Sequence, residues 1–264
     1  MVVSIFNQKG GVAKTTTATN LACALGELGK RVLLVDFDPQ ANSTNALGVD
    51  DENLNLSIYD LLQEFNATDR KEFSGIKVKK YIQNTSYKID ILPSDINLAE
   101  AEQTLSTLMS REMVLFKIMS FITGDYDYIF IDCPPSLGLL SINALTASDY
   151  VIVPVYPSYF SVKGIKQLLR TFDLIKDNLQ PKLEIMGVVL TKYDSRTSKH
   201  REIKRDIKNL SVFKDKVFTP IRINTELEKA QDNQQPITAY NRNCNGFEDY
   251  KKLANEVINY AERK

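Results

Sequence analysis

The chain has 264 residues, 43% apolar and 25% charged, with Lys+Arg and Asp+Glu equal at 33 each. This is the composition of an ordinary globular protein and excludes disordered and fibrous classes, while the length suffices for a substantial core. With the charges balanced, net charge gives no sign of nucleic acid, and any bound anion must be met by a local patch.

The three cysteines, Cys23, Cys133 and Cys244, are odd in number and lack a C-x-x-C spacing, which fits a reducing compartment and leads to the expectation of a cytoplasmic protein. There is no apolar run of about 18 residues for a membrane span, and the first residues are strand-like rather than a charged and then apolar leader.

In chain order, "VVSIF" reads as a strand, followed by a helix from about Thr15 to Leu28 that Gly29 ends, and then the strand "RVLLVDFD". The stretch from Asp50 to Lys80 is polar and reads as helices with loops inserted between core strands. Strands return at "KIDILP", "YDYIFIDCPP", "DYVIVPV" and "LEIMGVVLTKYD". Most of these runs are apolar throughout, as strands covered on both faces are, so the pattern predicts an α/β fold of the P-loop NTPase kind. Its twisted sheet is mainly parallel, with helices on both faces. No linker divides the chain, so a single domain over 1–264 is expected, with functional loops at the C-terminal ends of the strands. The final helix, "GFEDYKKLANEVINYAER", carries Phe247, Tyr250, Leu253, Val257 and Tyr260 on roughly one face. That stripe predicts docking on the domain, because a membrane-lying helix would end in a basic apolar tip.

Chemistry concentrates in three places. The loop "NQKGGVAKTT", residues 7–16, joins the first strand to a helix, so its N–H groups and the helix N-terminus converge on a spot suited to phosphate. It departs from G-x-x-x-x-G-K-[ST], placing Gln8 and Ala13 where glycines should stand, Gly10 and Gly11 inside the loop, and a second lysine, Lys9, before them. In that pattern Lys14 reaches the terminal phosphates and the Thr15 hydroxyl holds Mg²⁺; a glycine-rich turn that binds nothing is the alternative. The second strand ends in Asp36 and Asp38 and the fourth apolar run ends in Asp132. Singly, such aspartates are often helix caps, but together beside a phosphate loop they suit a hydrated Mg²⁺ and an attacking water.

Taken in order, "KGGVAKTT", "VLLVDFDPQANST", "FIDCPPSLG" and "VVLTKYDSRT" resemble the ParA/Soj family of partition ATPases. That family sits within the deviant Walker A group, which includes MinD and the nitrogenase iron protein. The resemblance runs from residue 2 to about 260. It implies ATP and Mg²⁺ as cofactors and a face-to-face homodimer in which Lys9 touches the phosphates of the other subunit. A cation arriving from a partner acts like an arginine finger. Residue by residue it implies that Lys9, Lys14 and Asp38 carry catalysis, with Asp38 orienting the attacking water. Thr15, Asp38 and Asp132 would serve the metal, and residues 9–16, namely Lys9, Gly10, Gly11, Val12, Ala13, Lys14, Thr15 and Thr16, would cradle the nucleotide. Asp36 supports the loop. Ala13 replaces the family's commoner Gly and requires a conformation that a Cβ accepts. The strand end "LTKYD" and the later "TPIRINTELEKAQ" resemble the family's adenine-side segments, which makes Pro220 and Arg222 candidates for base contact, with ordinary loop residues as the alternative.

The segment Lys192 to Lys208 reads as helix-like and holds seven basic side chains against three acidic ones. Such a run is usually a solvated face. Family members bind DNA without sequence preference through this region, which makes Arg196, Lys199, Arg201, Lys204, Arg205 and Lys208 the candidates, although Glu226 stands where a basic residue is common. His200, the only histidine, is expected at the surface. The resemblance further implies nucleoid association, no membrane contact, and a ParB-like centromere-binding protein as partner. Three rivals remain open: a MinD-like membrane-cycling ATPase, an iron-sulfur reductase using Cys133, and an ATP-sensing DNA-binding regulator with little turnover.

Overall fold

A computed structural model describes residues 1–69, 71–158 and 161–263. Seven strands, β1 (Val2–Ile5), β2 (Val32–Asp36), β3 (Gln83–Asn84), β4 (Asp90–Leu92), β5 (Tyr128–Asp132), β6 (Tyr150–Val155) and β7 (Glu184–Leu190), form one sheet in the order β3-β4-β2-β5-β1-β6-β7. All neighbours run parallel except β3 on β4. The order reverses around β1, so the crevice beyond the C-terminal strand ends lies where doubly wound sheets bind ligands.

Helices α1 (Lys14–Glu27), α2 (Asn42–Ala46), α3 (Ile58–Ala67), α4 (Gly75–Lys79), α5 (Ala101–Ser106), α6 (Val114–Ser120), α7 (Leu139–Thr146), α8 (Ser161–Asn178), α9 (Ser198–Asn209), α10 (Thr225–Asp232), α11 (Ile237–Tyr240) and α12 (Asn245–Ala261) cover both faces. Because strand side chains alternate, Leu33, Val35, Ile129 and Ile131 meet Ile58, Leu105, Ile118 and Leu140 on one face. Val3, Ile5, Leu34 and Phe130 meet Leu21, Ile237, Leu253 and Val257 on the other. The central strands are therefore buried at every position, which is why their sequences are continuous apolar runs rather than alternating ones.

Helix α12 docks as its stripe predicts: Tyr250, Leu253, Ala254 and Val257 are buried and the helix packs along α1. Each fully buried large side chain contributes about 1.5–3 kcal/mol, so the stripe is committed to the core. Gly29, at φ +79°, takes the left-handed turn that closes the end of α1. In the polar stretch, α3 and α4 form as expected; Ser57 and Asp60 make a capping box at the start of α3. Strand β3, two residues long, is too short to leave a periodic signal. Among the described residues no helix is long and apolar enough to cross a membrane.

Candidate nucleotide site

The loop between β1 and α1 is pinned from below. Asn7 Nδ2 donates to Pro154 O (2.7 Å), Asn7 Oδ1 accepts from Lys9 N–H (3.0 Å), and Thr191 Oγ1 donates to Val12 O (3.0 Å), tying the loop to β6 and the end of β7. Gly11 (φ +71°) and Ala13 (φ +63°) both adopt left-handed backbone. Ala13 is the N-cap of α1 and its carbonyl accepts from Thr17 N–H (3.0 Å) and Thr17 Oγ1 (2.7 Å). The position that favours glycine in the loop pattern does so because its backbone is left-handed, and here an alanine bears the strain.

The two lysines face different surroundings. Lys14 is buried, at 7% exposure, and burial lowers the pKa of its ammonium, opposed by Asp132, Cys133 and Asp38 nearby. Lys9 is exposed, and its Nζ donates to Ser158 Oγ (2.9 Å) beyond β6. A Cβ at Gly10 or Gly11 would meet nothing within 4 Å. Gly11 is required by its φ, whereas Gly10 has no such reason within the chain.

Strand register sets Asp36 of β2 directly opposite Asp132 of β5. Both are fully buried, and both pKa values are raised, by burial first. Repulsion from Asp132 adds to the rise at Asp36; the Thr15 and Ser43 hydroxyls and Lys14 pull Asp132 back. Ser43 Oγ donates to Asp132 Oδ2 (2.8 Å), while Asp132 Oδ1 is buried with no hydrogen-bond partner. An orphaned carboxylate oxygen beside the Thr15 hydroxyl fits a hydrated Mg²⁺, which takes few direct carboxylate ligands and keeps its water. Asp38, at 7% exposure, faces the same cleft, with its Oδ1 accepting from Gln40 N–H (3.0 Å).

Two adjoining hollows share Ala13, Thr16, Lys192 and Gln231 and form one cleft along the start of α1. The half beside Lys14 is lined by Gly10, Gly11, Thr15, Asp38 and Asn42. The other half is lined by Thr191, Ile221, Arg222, Asn224, Leu227 and Tyr250, so the lining suits phosphates at the Lys14 end and a base at the other. Arg222 lines the base half, but its guanidinium is engaged by the buried Asp249, through Nε (2.9 Å) and Nη2 (2.7 Å), and its N–H donates to the same carboxylate (2.9 Å). Pro220 is not among the lining residues. Thr191, Asn224, Leu227 and Gln231 fall within "LTKYD" and "TPIRINTELEKAQ", the two segments that resemble the family's adenine side, although the sequence did not single them out as individual contacts.

The basic segment differs in two ways from its sequence reading. Helix α9 begins only at Ser198; Lys192 lies ahead of it in left-handed backbone (φ +48°) and lines the nucleotide cleft. His200 is buried rather than at the surface, because its Nδ1 accepts from Asp194 N–H (3.0 Å) and its ring packs between Tyr156 and Tyr193. With Ile203 and Ile207 it anchors the inner face of α9. Arg201, Lys204, Arg205 and Lys208 follow the i, i+3, i+4, i+7 spacing of one helical stripe. Lys204 lies 5.3 Å over the Tyr193 ring, and partial burial and Lys208 lower its pKa. Arg201 Nη1 donates to Ser195 O (2.7 Å) and Arg196 O (2.9 Å). Arg196 is paired with Asp194 (3.0 Å) and Lys199 with Glu202 (3.1 Å); exposed pairs of this kind hold their partners weakly.

The profile of the AAA domain family matches residues 1–185. The chain is 43% identical over 257 residues to the sporulation initiation inhibitor protein Soj of Bacillus subtilis (strain 168), covering 97% of both chains. To the chromosome partitioning protein ParA of Caulobacter vibrioides (strain NA1000 / CB15N) it is 39% identical, over 97% of this chain and 93% of the relative. Cobyrinic acid a,c-diamide synthase from Mycobacterium smegmatis with bound ADP and magnesium superposes with a TM-score of 0.81 at 32% identity, covering 99% and 95% of the two chains. The septum site-determining protein MinD from Pyrococcus horikoshii OT3, complexed with Mg-ADP, gives 0.76 at 25% identity, covering 98% and 96%. Resemblance in the loop and strand ends thus extends to nearly the whole chain: it belongs to the ParA/Soj family of partition ATPases.

Proposed function

We propose that the chain, acting as one domain, is a Mg²⁺-dependent ATPase of DNA partition. On binding ATP, two copies close face to face and the dimer binds DNA without sequence preference. A ParB-like centromere-binding partner stimulates its slow hydrolysis. The neighbours bearing Mg-ADP support the cofactors, and the relatives named for chromosome partitioning support the process.

The observation that carries the reading is the contrast within one loop. Lys14 is buried at the start of α1, where it serves the phosphates of its own chain. Lys9 is exposed and can serve a second copy without the cost of burying an unpaired ammonium. Gly10, which no contact within the chain requires, leaves room for a partner's backbone at this face. Thr15 and Asp132 would hold the metal, Asp132 through water at its orphaned Oδ1. Bound Mg²⁺ neutralises charge developing on the phosphates during transfer. Asp38 orients the attacking water, and backbone N–H groups of residues 10–16 hold phosphate oxygens. Ile221 and its neighbours supply the base wall, while the Arg222 side chain braces α12 through Asp249.

For DNA, the stripe of Arg201, Lys204, Arg205 and Lys208 on α9 is the proposed contact, with Arg196 and Lys199 at its edge. If each copy offered about three phosphate contacts, a dimer would present about six and bind far more tightly, with a steeper salt dependence. Burial of the apolar stripe of α12 favours this reading over a membrane-cycling one, which needs an apolar face free for lipid. Phosphate release measured with ATP, DNA and partner tests the function. Loss of the ATP-dependent gain in DNA binding between ADP and ATP-locked forms would refute the DNA arm.

A further inference from the structure

Behind Asp38 lies a closed ring of hydrogen bonds. Asp38 N–H donates to Asp36 Oδ1 (3.3 Å). Thr44 donates twice to Asp36 Oδ2, from its backbone N–H and from Oγ1, both at 2.8 Å. Thr44 Oγ1 in turn accepts from Ser94 N–H (2.9 Å), and Ser94 Oγ donates to Asp38 O (2.8 Å). The ring joins the end of β2, helix α2 and the segment after β4, and it returns to Asp38 on the opposite side of its Cα from where it left.

Asp36, Thr44 and Ser94 are fully buried. A buried polar network satisfied at each member is rigid, and it costs dearly when one link is removed. The next residue but two beyond Asp38, Ala41, is held at φ +51°, a conformation that persists only when its surroundings over-determine it. Ala41 N–H donates to Asp38 O (3.0 Å), the same carbonyl that Ser94 engages.

We infer that Thr44 and Ser94 are positioning residues that, through the ring they close with Asp36, fix the backbone on both sides of Asp38 and so aim its carboxylate. The inference rests on the proposed role of Asp38 in hydrolysis. A misplacement of about 1 Å in a reacting group costs on the order of a hundredfold in rate, so the ring controls turnover while leaving the phosphate loop, and hence ATP affinity, untouched.

The test is steady-state phosphate release and ATP binding, with DNA present, for Thr44→Val, Thr44→Ser and Ser94→Ala. Valine preserves shape and removes the hydroxyl; serine keeps it. Thr44→Val should lower kcat by about tenfold to a hundredfold with KM and ATP affinity within about twofold. Thr44→Ser should restore most of the rate, and Ser94→Ala should lower kcat by about threefold to tenfold. If Thr44→Val does not fold, Ser94→Ala carries the test, because it leaves both Thr44 contacts to Asp36 in place. The inference is overturned if the folded hydroxyl-deleting variants keep the wild-type kcat, if KM rises while kcat holds, or if Thr44→Ser is as slow as Thr44→Val. A wild-type chain that binds ATP but releases no phosphate would instead defeat the proposed function.

Discussion

Replacing Ala13 by glycine should stabilise the protein. Ala13 is held at φ +63°, ψ +41° as the N-cap of α1, and left-handed backbone costs an L-residue about 1–2 kcal/mol. Glycine escapes that cost but gives the unfolded chain more freedom, worth about 0.4–1 kcal/mol in the other direction. The balance favours Ala13→Gly by about 0.5–1 kcal/mol, or roughly 1–4 °C in melting temperature for a chain of this size. Ala13→Val, which puts a β-branched side chain in the same conformation, should lower it. Thermal unfolding of the nucleotide-free protein measures both, and nucleotide titration should show Ala13→Gly binding at least as tightly as the parent. A melting temperature lowered by Ala13→Gly would refute the claim that this residue is strained.

Lys14→Met should weaken nucleotide binding by a hundredfold or more, on the order of the 3 kcal/mol carried by charge-assisted phosphate contacts, as read by calorimetric titration. Arg205→Glu with Lys208→Glu should lower the affinity of the ATP form for duplex DNA and flatten its salt slope by roughly one unit per lost contact; an unchanged slope would move the interface elsewhere. In metal-free, nucleotide-free protein, burial raises the pKa of Asp36 to about 8 and of Asp132 to about 6. The folded state therefore holds these protons to higher pH than the unfolded chain does. Their contribution to stability is full below the unfolded value near 4 and is lost as pH rises toward 8. Melting temperature should fall from pH 5.5 to 8.5, and Asp36→Asn should flatten the fall; a rise over that window would contradict the buried-pair assignment.

The strands were legible because burial on both faces removes polar residues from them, and the aspartates read at their ends, Asp36, Asp38 and Asp132, do gather at one end of the sheet. What the sequence hid depends on contacts between distant segments. His200 looks like part of a basic surface, yet a single N–H from Asp194 and two tyrosine rings draw it inside. Lys192 reads as the first cation of a helix, but it sits ahead of α9 in left-handed backbone and lines the cleft. Arg222 reads equally as a base contact or an ordinary loop residue; it lines the cleft, while Asp249, 27 residues later, holds its guanidinium. Ser94 carries no signal at all, since its partners Asp38 and Thr44 lie some 50 residues earlier.

If Lys9 acts across a dimer, removing it must separate the two copies without releasing their nucleotide. The most direct measurement is the mass in solution of Asp38→Ala protein with saturating ATP and Mg²⁺, by light scattering, beside the same protein carrying Lys9→Ala. The first should run at twice the chain mass and the second as a single chain, with ATP still bound to both. A single chain with ATP bound in the first, or an unaltered dimer in the second, would contradict that role of Lys9.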